Sequence, residues 1–317
     1  MRAKTGLILI LLLAATVVSA ERNADIGTSG DLRKLFDGFE FTEGPAPDRN
    51  GDLYFTDPKA NRVHRVDAKG GLSTFLEDMK YTNGLMVDRG RLIAAQRDEG
   101  RVIAIDLRTK AISVIADKFE GNRFIGPNDV VVDKTGGVYF TDPRMPTSAP
   151  GFQEKEGFYY VTAAGAVTRL VEGLPKPNGV ILSPDEKTLY VLFSGRTDVL
   201  AYPVLAPGRI GAGKTLCELD QAKGTPPRGG DGLAVAEDGT LYIAQPDLRA
   251  VQVVSPQGQT LGLIQVPGHP TNAEFGGKDM KTLFITAHTR NPATGLADRA
   301  ALYSIAMKKK GHRFGRK

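Results

Sequence analysis

The chain has 317 residues, 41% hydrophobic and 24% charged, with 37 glycines and 19 prolines. That balance excludes a disordered or collagen-like chain, and many turn-formers without long amphipathic helical patterns favour an all-β fold. The formal charge of +5 sits at the ends: removal of Arg2 and Lys4 leaves +3, and Lys308–Lys317 alone carries six basic residues, so the body is near −3 and a nucleic-acid-binding surface is excluded.

At the N-terminus, Arg2 and Lys4 precede an uncharged apolar run, Gly6–Val18, and Val18-Ser19-Ala20 fits small-x-small cleavage before Glu21. Residues 1–20 therefore read as a signal peptide and 21–30 as a linker, which implies a secreted or periplasmic protein. The run is short for a membrane span, although an uncleaved anchor is the alternative, and no other segment is apolar for long enough to cross a bilayer. Cys217 is the only cysteine, so no intrachain disulfide forms, and it is expected as a buried apolar filler.

From residue 31 to residue 306 one unit recurs: a polar anchor, an apolar strand, a tight turn and a second strand. Its fullest copy is Gly126–Pro143, with Asn128-Asp129 at the head, Val130–Val132, a turn at Asp133–Gly137, then Val138–Asp142. This reads as an antiparallel hairpin. The other copies begin at Glu43, Asn83, Asn178, Asp231 and Asn272, and Tyr54–Pro58 repeats Tyr139–Pro143 residue for residue. The anchors are spaced by 40, 45, 50, 53 and 41 residues, the period of a four-stranded propeller blade. Further strands are expected at Arg62–Asp67, Leu72–Leu76, Arg101–Asp106, Ile112–Ala116, Gly157–Val161, Val199–Pro203 and Val251–Ser255. The expected fold is an all-β, six-bladed β-propeller, closed by pairing of Leu32–Glu40 with Ala301–Ala306, since an open ring would leave an unpaired edge. The Pro/Gly-rich insertions Arg144–Glu156, Pro207–Gly213 and Ala222–Gly229 are candidate lids or plain surface connections. Residues 307–317 read as a basic tail, either a disordered solubilising end or a contact for anionic envelope material.

Innermost strands of a propeller line its channel, so six anchors at equivalent strand ends converge. They comprise two carboxylates, Glu43 and Asp231, and four carboxamides, Asn83, Asn128, Asn178 and Asn272. Such hard oxygen donors suit Ca²⁺ first, with Mg²⁺, Mn²⁺ or Zn²⁺ as alternatives, and argue against a structural zinc site. Asn or Asp before Gly is also an ordinary turn residue. Six in register, with a Glu at the first, favour convergence over turns.

The motifs Glu43-Gly44-Pro45, Pro127-Asn128-Asp129, Pro177-Asn178-Gly179 and Asp231-Gly232-Leu233, in this order and spacing, resemble the gluconolactonase and senescence-marker-protein (regucalcin) family. The resemblance spans roughly 31–306 and implies a six-bladed propeller that hydrolyses a small-molecule lactone. It also implies one divalent metal held by Glu43, Asn128, Asn178 and Asp231. Asp231 is then expected to orient or deprotonate the attacking water, with Asp129, His269 and His288 as alternative bases. Asn83, Asn128, Asp129 and Asn272 are expected to face substrate. Animal members place a substrate-contacting Arg two residues before the third-blade Asn; here that position is Gly126, and Arg123 lies out of register. A non-catalytic ion-stabilised propeller binding a sugar or envelope partner, and a hydrolase of another ester or an organophosphate, are the alternatives. Oligomeric state is not legible.

Overall fold

The computed structural model describes residues 26–144, 152–222, 228–291 and 293–315. The expected signal peptide and most of the linker lie outside them, as does the bulk of two candidate lids, around 145–151 and 223–227. Among the described residues every regular element is a strand, and they form six four-stranded antiparallel blades with two short hairpin additions. Short strands rich in Val, Ile, Tyr and Phe, punctuated by turns such as Asp133–Gly137, leave no run long enough for a helix.

Blade one comprises Glu43–Pro47, Leu53–Asp57, Arg62–Val66 and Leu72–Leu76; blade two, Thr82–Asp88, Arg91–Gln96, Arg101–Asp106 and Ile112–Ala116. Blade three comprises Val130–Val132, Val138–Asp142, Gly157–Val161 and Val167–Glu172, and blade five Leu233–Val235, Leu241–Gln245, Ala250–Val254 and Thr260–Gln265. In blade four, Pro177–Leu182, Thr188–Phe193 and Asp198–Ala206 are completed by Lys214–Glu218. The third of these strands overruns the others and turns at Pro207–Gly213. That insertion packs inward: Gly208 N–H donates to the Tyr139 hydroxyl at 3.2 Å. It therefore braces blade three and is no lid.

The ring closes as expected. Arg33–Phe39 adds as the outermost strand to His269–Gly276, Thr282–Arg290 and Ala297–Ala306, with Arg33 opposite Ser304 and Phe39 opposite Ala300. The apolar core is a series of clusters between neighbouring blades. Leu85, Leu92 and Ile103 meet Tyr54 and Val63 between blades one and two. Tyr139, Phe158, Val191 and Leu233 join blades three to five. Cys217 is half-buried against that second cluster, and burial pushes its thiol up to about 11, so it is an inert filler that is less enclosed than expected.

The basic C-terminal segment is no disordered end. Residues 307–315 cross the face of the ring opposite the anchors. Met307, Gly311 and Phe314 are buried, His312 N–H donates to the Val235 carbonyl at 2.9 Å and Gly311 N–H to that of Met280 at 2.8 Å. Lys309 pairs with Asp238 at 2.9 Å and Lys310 with Glu237 at 2.6 Å. The charges that suggested a free tail answer the acidic turn of blade five.

Candidate metal and active site

Each anchor lies in or just before the first half of an innermost strand, and the backbone there is irregular for a reason. The ladder between first and second strands shifts register immediately after Glu43 in blade one, across Thr82/Leu85 in blade two, Pro177/Val180 in blade four and Pro270/Asn272 in blade six. Such bulges re-aim one side chain without ending the strand. The glycine that follows four of the anchors is not a turn residue. A Cβ on Gly179 would stand 2.3 Å from the Asp231 carbonyl oxygen, and one on Gly232 only 2.0 Å from Asn272 Cγ. Neighbouring blades touch at these points, so only glycine fits.

A ring of bonds between blades fixes the anchors in place. Gly84 N–H donates to the Asn128 carbonyl at 2.8 Å and Gly179 N–H to that of Asp231 at 3.2 Å. Threonine hydroxyls complete the circuit: Thr56 donates to the Asn83 carbonyl at 2.9 Å, Thr141 to Asn178 at 2.7 Å and Thr271 to Thr42 at 2.7 Å. Asp57 and Asp142, from the repeated Tyr-Phe-Thr-Asp-Pro, hold the segments leading into two of these strands. Asp57 accepts from Glu40 and Phe41 N–H at 2.9 and 3.0 Å; Asp142 accepts from Ile125 and Gly126 N–H at 3.0 and 2.7 Å.

Glu43, Asn83, Asn128, Asn178 and Asn272 are all buried, with Asp231 at the partly open edge. Burial, then the nearby Asp231 charge, raises Glu43 well above the usual carboxylate range. Asp231 is raised to about 7 by burial, with Asn178 bonding to its ionised form in opposition. No cationic side chain is hydrogen-bonded to either carboxylate among the described residues. Asn83 Oδ1 is buried without a hydrogen-bond partner, which ordinarily costs about 1–3 kcal/mol. Two carboxyls driven together and an orphaned amide oxygen are what a hard cation would satisfy, so the residues present fit a divalent metal. Among the described residues no three His, Cys, Asp or Glu side chains converge; the donors are two carboxylates plus carboxamides, which suits Ca²⁺ better than zinc.

The anchors divide by their bonds. Asn272 Nδ2 donates to Glu43 Oε2 at 3.2 Å while its Oδ1 accepts from Ala273 N–H at 2.8 Å, so its amide positions Glu43. Asn178 Nδ2 donates to Ser194 Oγ at 2.8 Å, which leaves its oxygen for the centre. Asp129 accepts from Val130 N–H at 2.9 Å and Val180 N–H at 3.1 Å, lies against Gly84, and is raised by burial to about 7. Its carboxyl ties blade three to blade four.

The imidazoles lie together on blade six. His269 stacks on His288 at 5.4 Å, and the His288 ring packs tilted against Phe41 at 4.9 Å. Burial, then the other ring and surrounding cations, lowers His288 to about 3; it is a neutral, weak base. Arg123 turns away to Glu99 at 3.4 Å and to the Phe152 ring. Arg97, which the sequence reading missed, fills the space above Gly126: a Cβ there would meet Arg97 Cγ at 2.8 Å. Its guanidinium stacks on Tyr81 at 3.7 Å, and the Tyr81 hydroxyl is itself within the field of Glu43.

The family model for the SMP-30/gluconolactonase/LRE-like region matches residues 41–289. A gluconolactonase of Zymomonas mobilis is 30% identical over 304 residues, covering 86% of this chain and 83% of that protein. The diisopropyl-fluorophosphatase of Loligo vulgaris is 26% identical, covering 81% and 89%. The solved structure of a gluconolactonase from Xanthomonas campestris superimposes with a TM-score of 0.77 at 26% identity, covering 89% and 91%. With its six blades, its convergent oxygen anchors and a match that runs from the first anchor into the last blade, this chain belongs to the SMP-30/gluconolactonase/LRE-like family.

Proposed function

We propose that this protein is a divalent-metal-dependent lactonase. The observation that carries the reading is the buried Glu43 carboxyl, raised by its burial and then by the nearby Asp231 charge, together with the orphaned Asn83 Oδ1 on the neighbouring blade. The named relatives, gluconolactonase among them, supply the substrate class.

Glu43, Asn128, Asn178 and Asp231 would hold the ion. When bound, it would supply positive charge to the lactone carbonyl and to the oxyanion formed on water attack. Asn272 keeps Glu43 turned inward and Ser194 keeps the Asn178 oxygen facing the centre. Asp231, at the open edge of the set, is placed to orient the attacking water and take its proton. Arg97, held flat by Tyr81 over Gly126, offers donors to the substrate's hydroxyl or carbonyl oxygens. His288, neutral at pH 7, walls the site with Phe41.

The test is a panel of aldonolactones assayed by acid release, with and without chelator. Turnover above the spontaneous rate that is lost on chelation and restored by Ca²⁺ is expected; no turnover of any lactone in any divalent metal would overturn the reading. Hydrolysis of an organophosphate such as a phosphorofluoridate, water replacing fluoride at phosphorus, is a second reading at the same centre, favoured by the likeness to the Loligo enzyme. Diisopropyl fluorophosphate therefore belongs in the panel, and faster turnover of it than of every lactone would decide for that reading. The run Gly6–Val18 supports export, which the mass of the mature chain in a periplasmic fraction would test.

A further inference from the structure

On the anchor face, the second strand of blade six runs on past the centre toward the mouth of the site. Thr286 pairs with Asn272, His288 with His269, and Arg290 follows at the strand's end. Four residues of strand rise roughly 13 Å, so Arg290 stands well above the level of the anchors. Its side chain is half-buried and makes no hydrogen bond or ion pair among the described residues. Burial, then Arg228, lowers it from the ordinary arginine value, and Asp247 is the acid that acts on it. Arg228 approaches from blade four. Its N–H donates to Gln221 Oε1 at 3.3 Å and its carbonyl accepts from Gly195 N–H at 2.5 Å, which fixes its backbone. Its guanidinium reaches Asp247 at 3.5 Å, and its charge acts on Asp231, His288 and Arg290 alike.

The rim is cationic with every acid counted at full charge. The charges that weigh most on His269, His288 and Arg290 are those of Arg228, Arg249, Arg290 and Lys59, against the single carboxylate of Asp247. Asp37, Glu40 and Asp298 lie toward the outer strands of blade six, around a hollow that they share with Lys34 and Arg299. Adding that hollow still leaves more cations than carboxylates. At the centre below, a bound divalent ion would offset Glu43 and Asp231.

We propose that this rim reads the far end of the substrate: the lactone opened at the centre carries an acid group remote from its carbonyl, bound by Arg290 with Arg228. The proposal rests on the lactonase reading above and narrows its substrate class. An anion gives Arg290 a counter-charge, and a forked guanidinium takes a carboxylate, sulfonate or phosphate two oxygens at a time. A neutral aldonolactone would instead cover a half-buried guanidinium without pairing it, which is unfavourable. The neutral His288 ring and Phe41 wall the carbon chain between its two polar ends.

The test uses two matched pairs with the Ca²⁺-loaded full chain: 6-phosphoglucono-1,5-lactone against glucono-1,5-lactone, and glucaro-1,4-lactone against glucono-1,4-lactone. In at least one pair the anionic member should show a kcat/KM higher by about tenfold or more, the scale of one charge-assisted hydrogen bond, and the pair with the larger ratio identifies the acid. Arg290→Gln should cut that ratio by about tenfold, and added salt should shrink it. Arg290 makes no bond that its loss would break, so this variant keeps a folded protein; Arg228→Gln is the second. No preference for the anion in either pair, or a preference that both variants leave unchanged, would overturn the proposal. If no lactone is turned over, the lactonase reading fails separately, and calorimetric titration of 6-phosphogluconate and glucarate against gluconate still decides the rim. Tighter binding of the doubly acidic compounds that is lost in Arg290→Gln supports it, and equal binding overturns it.

Discussion

Asp231→Asn is expected to stabilise the metal-free protein while abolishing its response to metal. Burial raises the Asp231 carboxyl from 3.8 to about 7, and each unit is worth about 1.36 kcal/mol. An ionised Asp231 at pH 8 therefore costs the apoprotein roughly 4 kcal/mol. The amide keeps one acceptor but weakens the bond from Asn178, a loss of about 1 kcal/mol. A gain of roughly 2–3 kcal/mol should remain, or about 3–6 °C in melting temperature for a chain of this size. The sign fixes the pH window. A raised carboxyl pKa means the native state binds more protons, so the penalty is present above 7, declines as pH falls and is gone near 4. In saturating Ca²⁺ the order reverses, because wild type gains the linkage free energy of binding and the variant does not. Differential scanning fluorimetry at pH 8 and pH 4.5, in chelator and in Ca²⁺, reads all four conditions. If Asp231→Asn melts below wild type in chelator at pH 8, the ionised Asp231 carboxyl is not penalised by its burial and the metal argument drawn from it fails.

Four other outcomes follow from the same contacts. Arg97→Ala should raise KM for a reactive lactone by about tenfold, with a much smaller change in kcat, as expected when a binding contact made in both ground and transition states is lost; an equal loss in kcat and kcat/KM would instead make Arg97 part of the chemical step. Gly232→Ala drives a methyl into Asn272 and should cost about 3 kcal/mol or more, seen as lost soluble protein or a melting temperature lower by about 6 °C or more. Phe314→Ala empties a buried site under the ring and should cost about 3–5 kcal/mol in urea unfolding, whereas an unchanged midpoint would return the C-terminal segment to the status of a loose end. His288, lowered to about 3, binds a proton more readily unfolded than folded, so it destabilises the protein as pH falls below about 6.5. Relative to wild type, His288→Gln should therefore retain roughly 2–3 kcal/mol more stability on going from pH 7.5 to 4.5.

The ring was legible because its period is a backbone property. Each inner hairpin must bury one face and turn tightly, and the positions from Glu43 to Asn272 carry that demand openly. The division of labour among the anchors was not. An Asn whose nitrogen is held by Ser194 and an Asn whose nitrogen holds Glu43 are the same letter, and only the bonds of Asn178 and Asn272 separate them. The glycines after the anchors were ambiguous for a similar reason: Asn-Gly also signals a turn locally, whereas here the cause is the backbone of the next blade. Arg97 escaped notice because it belongs to blade two yet stands over Gly126, a neighbour that only the packing of blade two against blade three creates. The lysines after Met307 read as a solvated end because a charge run looks alike whether water or Glu237 and Asp238 answers it.

The strand pairing of Arg33–Phe39 with Ala297–Ala306 also sets an order of events. Every other blade is assembled from consecutive strands and can form as its own residues become available. The last blade needs the first strand of the chain and the final one together. Bringing residues 33 and 304 together costs roughly 5 kcal/mol of loop entropy in a free chain, a cost that the stacked blades between them largely remove beforehand. Closure is therefore expected to come last in folding, and until it occurs blade six lacks its outer strand. A chain shortened before Ala297 would carry that defect permanently, as an open arc with a sheet edge free to recruit a strand from another molecule.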